Sequence, residues 1–460
     1  MRIRPRRLTR ALAAAAGVLA AACAPQPPAA RNLLLVVLDT TRADHLSAYG
    51  HERETTPTID ALAAAGAQFE QAFAQSSLTP VSAASFLTGT WPYRTGVRSL
   101  FVVGGDTLSP DVPSLFELLR ASGRCTAAFV SAKPMGRQYG LDRGFELYDD
   151  DLTETARRHA IERFTDAPQR PAEETTERAL AWLEERGREP FALMLHWFDA
   201  HDPSFVPPRE FLEARLSLPV PPGIGRTTTP GSWPALYQPE HLAELYDAEI
   251  EYMDRELARV LEALERLGVR DDTLVCVIAD HGEGLGQHGF WTHGLLYQEQ
   301  LHVPLVLAGP GVQPGVRAGA PVRLVDLAPT LCELLDLRAQ GEAFDGSSLV
   351  AGLDSFGFEA REVYAEVHHA AEDRLGRDTQ MYSLSYGRWK YIHRPASGAH
   401  ELFDLVEDPG ELTNLYASQQ PVGLALQARL LALGAVGGEV PSLEGLPPEE
   451  LERLRALGYL

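Results

Sequence analysis

Cysteine is scarce. Cys23, Cys125, Cys276 and Cys332 are the four in 460 residues, far apart and without a CxxC pair. That excludes a disulfide framework and a thiolate zinc site. Cys276 lies inside the apolar run LVCVIAD and reads as a small buried residue. Positive charge is also short, with 41 Lys and Arg against 63 Asp and Glu and a net charge of −22. Such a surface repels phosphate backbones, which excludes nucleic acid as the main partner. An anionic substrate needs a local positive centre instead, and a bound metal supplies one. Internal repeats and low-complexity tracts are missing beyond the N-terminus. The hydrophobic fraction of 45% and charged fraction of 23% exclude wholesale disorder. The length suits one large α/β domain plus a smaller one.

The N-terminus reads as an export signal. MRIRPRR is a basic leader, and the apolar stretch ALAAAAGVLAAA is too short to serve as a stable membrane anchor. Ala20, Ala21 and Ala22 before Cys23 resemble a bacterial lipoprotein cleavage site, with Ala20 in place of the usual large aliphatic residue. Arg6-Arg7 is a weak twin-arginine signal. The expectation is a signal peptide over 1–23, a tether over 24–30 and a periplasmic or cell-envelope location. Membrane contact then comes only through a lipid on Cys23. A plain secretory signal with an incidental cysteine is the alternative.

NLLLVVLD is a continuous apolar run ending on Asp39. Such runs fit strands covered on both faces, as in a parallel sheet. FALMLHWFDAH (191–201) and TLVCVIADHG (273–282) repeat the pattern. Over 241–267, Leu245, Ile250, Met253, Leu257, Val260, Leu261 and Leu264 fall on one helical stripe. Strands alternating with helices predict a doubly wound, mostly parallel α/β sheet flanked by helices over 31–350. The Pro-, Gly- and Thr-rich stretch 215–239 reads as a surface loop or lid. From 351 to 460 the segments EVYAEV, YSLSYGRWKYIHR and HELFDL predict a small antiparallel sheet in a C-terminal subdomain. PPEELERLRALGYL closes the chain as a helix.

Asp39, His201 and Asp280-His281 each follow the end of an apolar strand. In open α/β sheets this edge binds ligands, so three strands converge on one site. A single Asp after a strand is more often a turn residue, and only the coincidence of the three lifts the reading. Thr79-Pro80 reads as the N-cap and first residue of a helix, whose free N–H groups suit an oxyanion. Beside a metal held by Asp39, Asp280 and His281, the Thr79 hydroxyl could become a nucleophile.

NLLLVVLDTTRADHLSAYG, TPTIDALAAAGAQFEQAFA, SSLTPVSAASFLTGTWPYRTGV, LHWFDAHDP, YDAEIEYMDRELARVLEALERLG, VIADHGEGLGQHG and HGLLYQEQLHVPLVLAGPG stand in that order. In this they resemble the sulfatases of the alkaline phosphatase superfamily. VRLVDLAPTLCELLDL and GRWKYIH…ELFDLVEDPGELTNL extend the likeness over nearly all of the mature chain. The resemblance implies an alkaline-phosphatase-like fold, and Asp39, Asp280 and His281 as metal ligands with Thr79 as nucleophile. It implies that His201 and His293 hold the ester oxygens or protonate the leaving group. Arg42 meets an anion or forms a surface salt bridge. His288 is supporting or merely structural, and His51, His196, His302, His368 and His369 are bystanders.

The chain departs from the family at its centre. Sulfatases of the main type carry C-x-P-x-R or S-x-P-x-R, whose first residue becomes formylglycine. Here Thr79-Pro80-Val81-Ser82-Ala83 cannot form that aldehyde, and Ala83 replaces the arginine. Thr40 stands for the usual second aspartate and His281 for an asparagine. An imidazole ligand shifts preference from calcium toward zinc or manganese, so one or two divalent ions are expected, with calcium still compatible. A sulfated threonine lacks the second hydroxyl that lets formylglycine expel sulfate, whereas metal-assisted attack at phosphorus is ordinary chemistry. Three readings stay open. One is a phosphate ester hydrolase or phospho-transferase, as in phosphoethanolamine and glycerophosphate transferases, and a second is a sulfuric ester hydrolase without formylglycine. The third is an inactive binder of an anionic glycan. The partner is a sulfated or phosphorylated small molecule, glycan or lipid.

Overall fold

The computed structural model describes residues 29–100, 106–153, 169–201, 206–224, 234–337, 344–355, 361–369 and 380–436. The expected signal peptide, Cys23, nearly all of the tether, residues 225–233 and the closing helix lie outside the described residues.

An eight-stranded sheet forms the large layer. Its spatial order is Val316–Ala318, Ala67–Phe69, Leu305–Ala308, Thr273–Ile278, Asn32–Leu38, Phe191–Trp197, Cys125–Val130 and Leu147–Asp149. Leu305–Ala308 runs antiparallel to both neighbours, and the other pairs are parallel. The three apolar runs become its central strands. All seven residues of Asn32–Leu38 are buried, since helices cover both faces of a parallel sheet. Each Leu or Val so buried contributes about 2 kcal/mol. The polar start of that strand is also used. Asn32 Nδ2 donates to Thr273 Oγ1 and its Oδ1 accepts from the Phe191 N–H, tying three strands at one end.

Register decides what happens at the other end. Leu38 pairs with Trp197, and Val37 with Ile278. The three strands therefore finish level, and the residues that follow them emerge along one edge. The long helix Pro239–Leu267 starts with Pro in its first turn and ends at Gly268 with φ 71°, a left-handed cap that glycine reaches without strain. Leu245, Ile250, Met253, Leu257, Val260 and Leu264 are buried as the stripe predicts, while Leu261 is only half-buried.

The C-terminal part is an antiparallel sheet of Val363–His368, Gln380–Tyr386, Trp389–Arg394 and Ala399–Asp404. The helix Gln420–Ala432 packs Val422, Ala425, Leu426 and Leu430 against Tyr382, Leu384, Tyr391 and Leu402 of this sheet. The stretch read as a surface loop is more structured than expected. Its described parts bury Leu236 and half-bury Leu218, Val220 and Ile224 in a cluster with Val206, Leu212 and Leu245. Apolar residues scattered among the prolines supply that small core of their own. Cys125, Cys276 and Cys332 are buried thiols that form no disulfide among the described residues.

Candidate active site

Asp39 leaves the central strand with its N–H bonded to the Trp197 carbonyl at 2.9 Å. The chain turns at once through Thr40, whose φ is 51°, a costly conformation for a residue with a Cβ. The turn is held from both sides. The Thr40 N–H donates to Asp280 Oδ1 at 3.1 Å, and the Tyr246 hydroxyl donates to the Thr40 carbonyl at 2.6 Å while accepting from the Arg42 N–H at 2.8 Å. Asp280 Oδ1 also accepts from the His281 N–H at 2.9 Å.

Asp39, Asp280 and His281 are fully buried, and their candidate ligand atoms lie within 4.8 Å of one another. Asp39 Oδ1 and Asp280 Oδ2 have no hydrogen-bond partner. His281 Nδ1 sits 2.9 Å from the Gly282 carbonyl. A carbonyl only accepts, so Nδ1 carries the hydrogen and Nε2 presents a lone pair. That lone pair lies 3.4 Å from Asp280 Oδ2 and 3.3 Å from Thr79 Oγ1. Burial and the nearby Asp280 carboxylate push the Asp39 carboxyl well above its ordinary range. Two buried carboxyl groups and His281 Nε2 thus face one small region, a donor set that fits a divalent cation.

Thr79 departs from the expected cap. Leu78 is the N-cap and the helix Thr79–Thr88 begins at Thr79, with no side-chain capping bond. Pro80 fits only the first turn, and the Thr79 hydroxyl reaches out instead to within 3.5 Å of Asp39 Oδ2. The expected free N–H groups are fewer than supposed, because those of Val81 and Ser82 both bond the Leu78 carbonyl. Ser82 Oγ donates to the Asp280 carbonyl at 2.6 Å, fixing this helix to the strand end.

The remaining expected residues divide. His293 packs with ring centroids 4.6 Å from His281 and 4.8 Å from His201. His201 stacks on Phe198 at 4.0 Å, and its Nδ1 is buried without a partner. Withdrawal from water and the neighbouring imidazoles push His201 well below its usual value. Arg42 is buried, not at the surface, and grips both oxygens of Asp44 at 2.9 and 2.6 Å while its third nitrogen bonds the Glu283 carbonyl. His288 bonds Glu299 and the Glu411 carbonyl and stacks on Tyr297, which staples the loop together. Thr79, His201, His293, Asp39, Asp280 and His281 therefore meet, whereas the Arg42 and His288 side chains are engaged elsewhere.

Two residues of this cluster escape the sequence reading. His196, read as a bystander, donates from Nε2 to Asp39 Oδ2 at 2.7 Å. The Ser131 N–H approaches its Nδ1 at 3.4 Å, and burial pushes the ring down to about 4, so it is neutral. A histidine inside FALMLHW looks like core, and only its position one residue before the strand end could have marked it. Glu283 places Oε2 at 3.3 Å from His293 Nδ1, and burial raises it to about 8. Its signal was the spacing of two residues beyond His281.

The family model "Sulfatase" matches residues 31–337. The chain belongs to the sulfatase family. A second model, the C-terminal part of N-sulphoglucosamine sulphohydrolase, matches residues 286–434 of this sulfatase-family hydrolase. It is 27% identical over 442 residues to a Δ4,5-hexuronate-2-O-sulfatase of Bacteroides thetaiotaomicron, covering 86% of each chain. A choline-sulfatase of Rhizobium meliloti is 35% identical over 189 residues, 41% of this chain and 35% of that one. Among solved structures, a phosphonate monoester hydrolase of Agrobacterium radiobacter superposes with a TM-score of 0.64 at 23% identity, covering 93% and 96% of the two chains. That likeness shows the fold. The mixed eight-stranded sheet and the C-terminal antiparallel sheet are those of the family.

Proposed function

We propose that this sulfatase-family hydrolase cleaves an anionic ester at a divalent metal held by Asp39, Asp280 and His281, with Thr79 as nucleophile. The observation that carries the proposal is the buried, unpartnered pair Asp39 Oδ1 and Asp280 Oδ2 beside the His281 lone pair and the Thr79 hydroxyl. Unpaired buried carboxylates are costly, and a donor set of two carboxylates and one imidazole fits zinc or manganese. Such an ion, when bound, lowers the pKa of a nearby hydroxyl and neutralises charge on the ester oxygens.

The chain's own groups do the rest. Asp39 takes the Thr79 proton, since its Oδ2 already accepts from that hydroxyl. His196 holds Asp39 in place from behind. His201 and His293 stand beside His281 and meet the ester, with Glu283 orienting His293. An unmodified threonine favours a phosphoric or phosphonic ester, because the threonine ester it forms is then opened by water at phosphorus. Two solved neighbours being phosphonate monoester hydrolases supports this reading. Sulfated glycans form the second reading, favoured by relatives such as the hexuronate sulfatase. Export to the cell envelope, on the strength of residues 1–23, belongs to the same proposal.

The test is turnover of matched aryl sulfate, phosphate monoester, phosphodiester and phosphonate substrates with zinc, manganese or calcium, beside Thr79→Ala. Phosphorus-ester turnover that needs zinc or manganese and disappears in Thr79→Ala supports the proposal. Turnover confined to sulfate selects the second reading. Metal binding with no turnover of any substrate, or turnover undiminished in Thr79→Ala, overturns the nucleophile assignment.

A further inference from the structure

The segment that follows the Asp39–Arg42 turn carries a second polar cluster. His45 ends the short turn Ala43–His45, His51 lies six residues on, and Asp247 belongs to the long helix. Asp247 Oδ1 lies 2.7 Å from His45 Nδ1 and Oδ2 lies 3.2 Å from His51 Nε2. The two rings stack with centroids 5.2 Å apart and planes 26° apart. The three candidate ligand atoms all fall within 4.8 Å of one another.

The convergence of three ligand atoms, with His51 held from its other side, is what makes this more than an ion pair. His51 Nδ1 lies 3.2 Å from the Asp44 carbonyl, an acceptor, so Nδ1 carries the hydrogen. His51 Nε2 faces the Asp247 carboxylate beside His45 Nδ1, so the three atoms converge on one place that a cation would share. The same arrangement, a ring donating one N–H to a carbonyl while its other nitrogen is left for a ligand, is how metal-binding histidines are held. His45 is fixed as well, by the edge of Tyr246 against its ring at 4.9 Å and by Thr55 Oγ1 donating to its carbonyl. The His45 and His51 side chains are 13% and 19% exposed and that of Asp247 6%, so an ion here reaches solvent and keeps open positions for water.

We propose that His45 Nδ1, His51 Nε2 and the Asp247 carboxylate hold a second divalent ion of the zinc class, separate from the buried cluster. Two imidazoles and one carboxylate suit zinc, cobalt or nickel and suit calcium poorly. The site clamps the segment after the turn to the long helix. Tyr246, beside Asp247, is the residue that bonds Thr40 and Arg42, so the clamp bears on the same turn that presents Asp39.

Metal content of the full chain after equilibrium dialysis against zinc, and the visible spectrum with cobalt, test the assignment. Asp280→Ala with His281→Ala removes the buried cluster, and one equivalent is expected to persist. Adding His51→Ala to that protein is expected to remove the equivalent and the cobalt band. If the double variant fails to fold by circular dichroism, His45→Ala with His51→Ala in the wild-type background is expected to lower zinc content by one equivalent. The inference is overturned if a folded protein shows no change in stoichiometry on loss of His45 and His51. It is equally overturned if cobalt gives no band with the buried cluster removed, the mark of a protonated histidine–aspartate network only.

Discussion

Two regions of this molecule bury charged groups completely and compensate them in opposite ways. At the edge of the large sheet, Asp39 and Asp280 each leave an oxygen without a partner, and Glu283 adds a third buried carboxylate. In the C-terminal part, Lys390 Nζ and Glu411 Oε1 lie 2.7 Å apart as a pair of opposite charges, off hydrogen-bond geometry, with both side chains almost fully buried. Glu411 Oε2 also accepts from the Gln298 N–H at 2.6 Å, which ties the C-terminal part to the short helix Gln298–Leu301. A buried pair of opposite charges balances itself and holds structure together. A buried cluster that does not is built to receive something from outside. Asp199 is an intermediate case, a buried carboxylate compensated by a helix N-terminus, where both oxygens accept from the Ala172 N–H.

The largest expected effect breaks the unbalanced cluster at its reactive group. Thr79→Ala is expected to lower kcat by about 10³-fold or more while leaving the metal-induced rise in melting temperature intact, as scanning calorimetry with and without zinc would show. Breaking the balanced pair comes next. Lys390→Met is expected to cost about 3–5 kcal/mol of stability in denaturant titration, because Glu411 is left buried and alone, and the double change Lys390→Met with Glu411→Gln is expected to recover part of it. Removing metal with a chelator sharpens the contrast. It is expected to destabilise the wild type by about 3 kcal/mol relative to protein at a hundred-fold excess over the dissociation constant, and Asp39→Asn with Asp280→Asn is expected to reduce that difference to whatever the His45–His51–Asp247 site contributes.

The effect confined to one pH window concerns Asp199. Burial raises its carboxyl to about 7, above its unfolded value. The folded state therefore holds the proton more tightly, so this contribution is full at low pH and is lost as pH rises through about 7. Asp199→Asn is expected to flatten the fall in stability between pH 4 and pH 7 by up to about 4 kcal/mol, read from melts across that range. An unchanged slope would mean that the backbone donor alone balances the charge.

Most of the fold was legible because its central strands are continuous apolar runs and its long helix carries a clear stripe. The polar ends of those runs also marked Asp39, His201 and Asp280-His281 as neighbours. What remained hidden depended on register and rotamers. His196 sits within an apolar run, and only the pairing of that strand with Asn32–Leu38 brings its ring to Asp39. The start of the helix at Thr79 shifted by a single position, enough to turn a presumed cap into a hydroxyl aimed at Asp39. Arg42 could not be assigned from sequence, because Asp44, two residues away, competes for it within the turn.

The parallel pairing of the central strand has a consequence for how the protein comes into being. Asn32–Leu38 is made first among the described strands, yet its neighbours start at Phe191 and Thr273. A strand whose every residue is destined for burial must wait for its first partner until Trp197 and for its second until Ile278, by which point more than half of the chain is synthesised. Such distant pairing is slow and leaves an apolar segment open to association. Asp39, at the tip of that strand, gains its neighbours only when the sheet closes around it. Binding of a metal at Asp39 would then report not an early local event but the completion of the whole fold.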